Sequence, residues 1–262
     1  MSTSPYTPID PKAQYDISKS TLIIPSISIG NIPQLTIDLL IHTFSLTKIG
    51  YLDDLYLYPF ASPIDYVKSA PESGISQAIE VYYSPKLNIT VVQQRSPIIP
   101  TYTSTFVQQV LVPFITAAQF KNVFILNSSD AGLVESVNSG DVKLYDTEDL
   151  IASNLENLSL LSSESGDVKD GESDKNSIFV TELVKSIVSH NGDNGSSPIN
   201  VKVLVSYVYE GDNFYDAEKS ASKLHEILQK QHPVDHWVKP VSWLGAYGDK
   251  SVPNAMEEGI FG

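Results

Sequence analysis

The chain has 262 residues, a formal net charge of −14, one arginine and no cysteine. The acidic balance argues against a nucleic-acid binder, which needs a basic stripe, and the lack of cysteine excludes disulfides and thiolate metal sites. No run of 18 apolar residues occurs, so the sequence predicts no membrane span.

The stretch Thr21–Ile41 organises the predicted domain. Its β-branched run predicts a buried strand that continues to Gly30. Asn31 is the expected side-chain cap of the following helix, and Pro33 falls in the first turn, where a missing N–H costs least. Such a turn can bind phosphate, but a single glycine without a following lysine favours simple strand-to-helix packing.

Alternating elements continue along the chain. Further strand-like runs are Gln77–Tyr83, Leu87–Gln94, Val123–Leu126 and Ile199–Val208, the first two joined by the hairpin turn Ser84–Lys86. A helix is predicted from an N-cap at Ser104 to Phe120, with Pro113 kinking or splitting it. We therefore predict one α/β domain with a mixed, largely parallel sheet and helices on both faces.

Composition sets the expected boundaries. Residues 1–20 are polar and proline-rich and predict a flexible lead-in, and residues 249–262 predict a mobile tail after a domain that spans residues 21–248. Between Asp130 and Asp174 there are twelve carboxylates and two lysines. We predict an acidic, partly disordered insertion at residues 127–177, with its disorder concentrated in Ser162–Ser177.

Three short motifs suggest chemistry but fit structural roles better. Gly74–Ala78 loosely matches a nucleophile elbow, yet it lacks the strand before and the helix after the serine. His232 and His236 have zinc-pair spacing, but Pro233 lies between them. Glu210–Asn213 could hold a metal or a general base, although a strand end with a helix cap is favoured. No catalytic, cofactor-binding or metal-binding residue is predicted.

Three patches together resemble the proteasome assembly chaperone 2 family, in its fungal form. They are Pro25–Leu35 with Asp38–Leu40, Glu210–Asn213 with Asp216–Ala217, and Lys239–Gly248, and Gln93–Ser96 adds a weaker match. The residues expected to form the family's structural motif are Gly30, Asn31, Gly211, Asp212, Asn213, Trp243, Gly245 and Gly248. Trp243 should bury its ring, and the two glycines after it should allow a tight turn.

The resemblance implies an α/β fold distantly similar to nucleoside phosphorylases, without their activity and without a cofactor. It implies a cytoplasmic protein, also found in the nucleus, that forms a heterodimer with proteasome assembly chaperone 1. The pair would bind the outer face of the proteasome α-ring of immature core particles and promote its correct assembly. Docking would use the C-terminal tripeptide Ile260, Phe261 and Gly262, with phenylalanine where the family usually has tyrosine.

A second hypothesis remains open at this point. A nucleoside-processing or phosphate-binding enzyme could be built on the same kind of fold. That function needs basic ligands for phosphate, and the sequence offers Arg95 and few lysines near its glycine turns.

Overall fold

The computed structural model describes residues 4–13, 15–67, 73–134, 136–147, 172–193, 198–228 and 234–243. Its strands are β1 Tyr6–Pro8, β2 Thr21–Pro25, β3 Thr47–Leu52, β4 Ala61–Pro63, β5 Ile75–Gln77, β6 Ile79–Ser84, β7 Ile89–Gln94, β8 Asn122–Asp130, β9 Val142–Asp146 and β10 Asn200–Val208. Its helices are α1 Ile32–Phe44, α2 Thr103–Phe106, α3 Val112–Ala117, α4 Glu172–Asp193 and α5 Phe214–Ile227. Single turns of 3-10 helix lie at Ile29–Asn31 and Ala131–Leu133.

The main sheet has eight strands in the order β1-β3-β6-β7-β2-β8-β10-β9. The four central strands, β7, β2, β8 and β10, run parallel to one another. The pairings on either side of them are antiparallel. The prediction of a mixed sheet is thus confirmed, with the parallel pairings at its centre. Strands β4 and β5 form a separate antiparallel hairpin.

Helices cover both faces of the sheet, as predicted. Strand β2 shows why, because Leu22 and Ile24 point to one face and Ile23 to the other, and all three are fully buried. The first face packs against α2, α3 and α4. The second face packs against α1 and α5. A strand buried on both sides needs this near-continuous apolar run.

The turn between β2 and α1 differs from the sequence prediction. Strand β2 ends at Pro25, so Ile27 and the residues up to Gly30 are not strand. Asn31 is left-handed, with φ of 51°, and its side chain caps nothing. The backbone is instead held by Gln34, whose Nε2 donates to the Ser26 carbonyl at 2.9 Å. A left-handed residue cannot aim its side chain at the first-turn N–H groups as an extended cap does.

Pro113 splits the next helical segment, in line with its predicted effect. A turn of π-helix at Val107–Leu111 separates α2 from α3, and Pro113 occupies the first turn of α3. There its missing N–H leaves no helix bond broken. The predicted cap at Ser104 is wrong, because Ser104 lies inside α2 and Tyr102 precedes the helix.

Secondary structure extends into two of the segments that composition set apart from the domain. The supposed lead-in contains β1, where the Tyr6 hydroxyl donates to the Ile49 carbonyl at 3.0 Å and its ring lies 5.6 Å from that of Phe114. Within the predicted insertion, residues 127–130 complete β8, residues 142–146 form β9, and residues 172–177 begin α4. The rest of Ser162–Ser177 and the tail at 249–262 lie outside the described residues.

Candidate functional site

The first two sequence patches meet at the contact between Gly30 and Asn213. A Cβ atom added to Gly30, whose φ is +66°, would lie 2.6 Å from the Asn213 Oδ1. Asn213 also closes the turn after β10, because its Nδ2 donates to the Tyr209 carbonyl at 2.8 Å and its Oδ1 accepts from the Gly211 N–H at 3.1 Å. The Asn213 side chain therefore holds together the turn that precedes α5. The Asp212 carboxylate accepts a hydrogen bond from the Phe214 N–H at 3.4 Å.

The third patch belongs to a C-terminal strap, which we define as residues 234–243. Trp243 stacks on Phe214 with ring centroids 4.5 Å apart and planes 13° apart, directly after Asn213. Trp243 is 8% exposed. All three patches thus pack into one region around the start of α5. Gly245, Gly248 and the predicted docking residues Ile260, Phe261 and Gly262 lie outside the described residues.

Several bonds fasten the strap across α1 and α5. The Trp237 Nε1 donates to the Ser222 Oγ at 3.0 Å, and the Val238 N–H donates to the Thr43 Oγ1 at 3.0 Å. Lys239 Nζ lies 2.6 Å from a carboxylate oxygen of Glu218. Because the strap contacts both helices, it fixes the point from which the C-terminal tail leaves the domain.

A cavity of about 800 Å³ opens at the carboxyl edge of the parallel strands. The segments that follow β2, β7 and β10 line it, together with the last residues of β8 and the start of α2. After β2 the chain turns to α1 on one face, whereas after β7 it turns to α2 on the other. Crevices form where neighbouring parallel strands lead to opposite faces, which is the usual ligand position in open α/β sheets.

A chain of hydroxyl groups forms the inner wall of this cavity. The Ser28 and Ser128 Oγ atoms are 2.7 Å apart, and Ser128 donates to the Ile29 carbonyl at 2.6 Å. Behind them, the Ser26 Oγ donates to the Asn127 Oδ1 at 2.7 Å. These groups are buried and paired, so they tie the end of β2 to the end of β8.

The charges in the cavity do not suit a phosphate ligand. Its described lining residues include Asp130 and Glu210 but no lysine, arginine or histidine. A phosphate site relies on cations or on several free backbone N–H groups. The serines also lack a histidine neighbour that could activate them as nucleophiles among these lining residues. The lining therefore weakens the hypothesis of a nucleoside-processing enzyme.

Arg95, the one arginine of the sequence, has a structural role away from the cavity. Its Nη2 lies 2.8 Å from the Asp38 Oδ1, which also accepts from the Gln93 Nε2 at 2.7 Å. Burial acts to lower the pKa of the Arg95 guanidinium, but the Asp38 carboxylate outweighs it and leaves that pKa above its usual value. The pair joins α1 to β7, a contact that sequence spacing gives no means of finding.

A second buried carboxylate, Glu80, lies on the neighbouring strand. The Lys48 Nζ is 3.0 Å from the Glu80 Oε1, and the Tyr82 hydroxyl donates to the Glu80 Oε2 at 2.8 Å. Burial, followed by the charge of Glu80, raises the pKa of the Tyr82 hydroxyl well above its usual value. Glu80 is paired and fully buried, so it is not available as a general base.

The remaining sequence candidates do not form a catalytic or metal site in the described residues. Ser76 is 3% exposed in β5, with no helix after it, so it is not a nucleophile elbow. His232 lies outside the described residues, and Asp235 and His236 are exposed. No group of three metal-ligating side chains occurs in the described part of the chain.

None of the helices in the described ranges is both long enough and apolar enough to cross a membrane.

This chain is similar to known proteins over most of its length. The sequence profile of the PAC2 family matches residues 22–228. The chain belongs to the PAC2 family. Two relatives are proteasome assembly chaperone 2 of Saccharomyces cerevisiae, 26% identical over 255 residues, and that of Mus musculus, 27% identical over 259 residues. The alignments cover 87% and 91% of this chain and 95% of each relative.

A solved structure of similar fold is Pyrococcus furiosus PbaA, an archaeal homolog of proteasome-assembly chaperone. Its TM-score is 0.56 at 14% identity, with 88% of this chain and 89% of that chain covered. At this identity the likeness shows the fold alone. The PAC2 match includes the Gly30 and Asn213 patches, whereas the strap with Trp243 lies beyond its last residue.

Proposed function

We propose that this protein is a proteasome assembly chaperone that acts by binding and not by catalysis. Membership of the PAC2 family carries this proposal, with full-length relatives named proteasome assembly chaperone 2. The described cavity lining supports it, since it has carboxylates and paired serines but neither a cation for phosphate nor a base beside a nucleophile. Such a lining suits recognition better than nucleoside chemistry.

The partner in this proposal is proteasome assembly chaperone 1. The two chains would form a heterodimer that binds the outer face of the α-ring and keeps immature core particles on the correct assembly pathway. The site of action would be the cytoplasm and also the nucleus. Imaging of the tagged protein at its native level tests the location, and exclusion from both compartments would contradict it.

Docking on the α-ring would use Ile260, Phe261 and Gly262. The strap ends at Trp243, and Gly262 is the nineteenth residue after it. An extended chain of that length reaches at most roughly 65 Å. Because the strap anchors Trp243, this bound limits how far from the domain Ile260 and Phe261 can bind. Their apolar side chains suit a pocket between α-subunits.

The test compares four forms of the heterodimer for binding to purified α-rings: the parent, a truncation lacking residues 260–262, Phe261→Tyr, and Phe261→Ala. We expect the truncation and Phe261→Ala to bind more weakly. We expect Phe261→Tyr to bind up to about tenfold more tightly, because one added hydrogen bond is worth roughly 0.5–1.5 kcal/mol.

The two parts of the proposal can fail separately. If the truncated heterodimer binds α-rings as tightly as the parent, the docking role of the tail is wrong, but the chaperone role stands. If the parent protein recovers neither proteasome assembly chaperone 1 nor α-subunits when purified from its native source, the chaperone proposal itself is wrong.

A further inference from the structure

The cavity at the carboxyl edge has the features of a surface that receives another polypeptide. Three large apolar side chains at its rim are exposed: Tyr58 (47%), Leu133 (54%) and Ile178 (50%). Exposed apolar side chains gathered at one opening mark interaction sites more often than isolated ones do. The three come from well-separated parts of the sequence, so the fold alone places them around one opening.

The polar groups of the lining match a peptide backbone. The lining of the cavity includes five polar residues, Asn31, Thr101, Thr103, Ser104 and Ser129. Hydroxyl and amide groups both donate and accept hydrogen bonds, as an extended peptide requires for its N–H and C=O groups. The innermost pair, Ser28 and Ser128, is already engaged, so it forms a rigid wall.

The charge of the lining decides what kind of peptide fits. Asp130 lies at the end of β8 and Glu210 follows β10, and the described lining has no positive side chain beside them. The Oδ1 of Asp130 accepts from the Gly132 N–H at 2.8 Å, and its other oxygen has no hydrogen-bond partner among the described residues. An acidic peptide would be repelled, whereas a lysine or arginine would pair with these carboxylates.

We infer that this cavity is a docking groove for an extended, basic peptide segment of a partner protein. Apolar side chains of the segment would contact Tyr58, Leu133 and Ile178 at the rim, and its basic side chains would reach Asp130 and Glu210. The inference goes beyond the proposed function, because neither the C-terminal tail nor a heterodimer requires this groove.

The chain's own acidic segment is a poor occupant of the groove. Residues 148–171, which lie outside the described residues, contain six carboxylates and one lysine. Their charge has the same sign as that of the lining. The net charge of the whole chain, −14, likewise favours a basic partner over a second copy of the protein.

The test uses fluorescence anisotropy with two labelled ten-residue peptides. In one, lysines alternate with valines; in the other, glutamate replaces each lysine. The full-length parent should bind the lysine peptide, with an affinity that falls as salt rises, and should not bind the glutamate peptide. The double variant Asp130→Asn/Glu210→Gln should bind the lysine peptide at least fivefold more weakly.

A matched control removes one charge at the far end of α5 and one charge in the strap. The variant Glu226→Gln/Asp235→Asn loses the same charge, and Glu226 lies roughly 20 Å along the helix from the end nearest the groove. It should bind the lysine peptide as the parent does. Ser104→Trp should abolish binding by filling the groove, and circular dichroism should show that each variant is folded.

Three outcomes would overturn the inference. The first is no binding of the lysine peptide by the parent at millimolar concentration. The second is equal weakening by the groove variant and the control variant, which would show attraction by net charge only. The third is binding of the lysine peptide by folded Ser104→Trp with parental affinity, which would place the contact elsewhere.

Discussion

Truncating Trp243 to alanine should destabilise the domain by about 3–5 kcal/mol, the usual cost for a buried aromatic. The ring is 8% exposed and stacks on Phe214 with a centroid distance of 4.5 Å. A tryptophan buries roughly 150–250 Å². At about 25 cal/mol per Å², that area corresponds to about 4–6 kcal/mol, an upper limit because the unfolded chain already hides part of it.

The indole nitrogen makes this prediction sharper. The Trp243 Nε1 is buried without a hydrogen-bond partner among the described residues, whereas the Trp237 Nε1 donates to the Ser222 Oγ. An unsatisfied buried donor costs about 1–3 kcal/mol. Trp243→Phe removes that donor and keeps a stacking ring, so it should cost less than Trp237→Phe, which breaks a bond. We expect a difference of about 1–3 kcal/mol between the two.

Urea unfolding followed by far-ultraviolet circular dichroism measures all three variants. The chain has two tryptophans, so the fluorescence of each single-tryptophan variant also reports whether the strap stays docked. A Trp243→Ala variant within about 1 kcal/mol of the parent would refute the packing role. If that stable variant also failed to bind proteasome assembly chaperone 1, Trp243 would belong to the interface instead.

Three further predictions concern other contacts. Gly30→Ala should lower the free energy of unfolding in urea by about 2–3 kcal/mol, because the φ of Gly30 is +66° and the new Cβ meets Asn213. The double variant Gly30→Ala/Asn213→Ala should lose less stability than the sum of the two single changes. Arg95→Met should lower the free energy of unfolding by about 3–5 kcal/mol, because it leaves the Asp38 carboxylate buried and unpaired. The double variant Arg95→Met/Asp38→Leu should recover much of that loss. Equal stability of the single variant and the parent would contradict this prediction. Burial and, secondarily, Tyr15 raise the pKa of Tyr6 from 10.0 to about 12, so its stabilising effect is complete below pH 10 and is lost between pH 10 and 12. Tyr6→Phe should therefore flatten the fall in stability over that window by about 1 kcal/mol, less than the full shift implies because the side chain is partly exposed. An unchanged slope would be the opposing result.

Local patterns in the sequence are sufficient to find several of the elements. The β-branched run at Thr21–Pro25 forms a strand buried on both faces, and the Ser84–Lys86 turn joins two antiparallel strands. Pro113 marks a break in a helical segment. These features depend on side-chain period and on backbone geometry within a few residues, so they can be found without knowing the rest of the fold.

Amino-acid composition is a poor guide to the boundaries of this domain. The polar start of the chain contains β1, since an edge strand needs only a few backbone pairs and one anchoring ring, here Tyr6. The serine-rich end of β8 has the composition expected of the acidic insertion, yet it is part of a strand. Asn127 and Ser128 are polar but buried, because each finds a hydrogen-bond partner in the segment that follows β2.

Composition and local pattern are enough to give the fold class, the family patches and the acidic charge of this protein. Only the tertiary structure brought Gly30 against Asn213, Trp243 onto Phe214, and the strand ends into one cavity. The bond between Ser26 and Asn127 joins residues 101 positions apart. Strand order decides such contacts, and strand order depends on long-range pairing and on the burial of both sheet faces, which leave no periodic mark in the sequence.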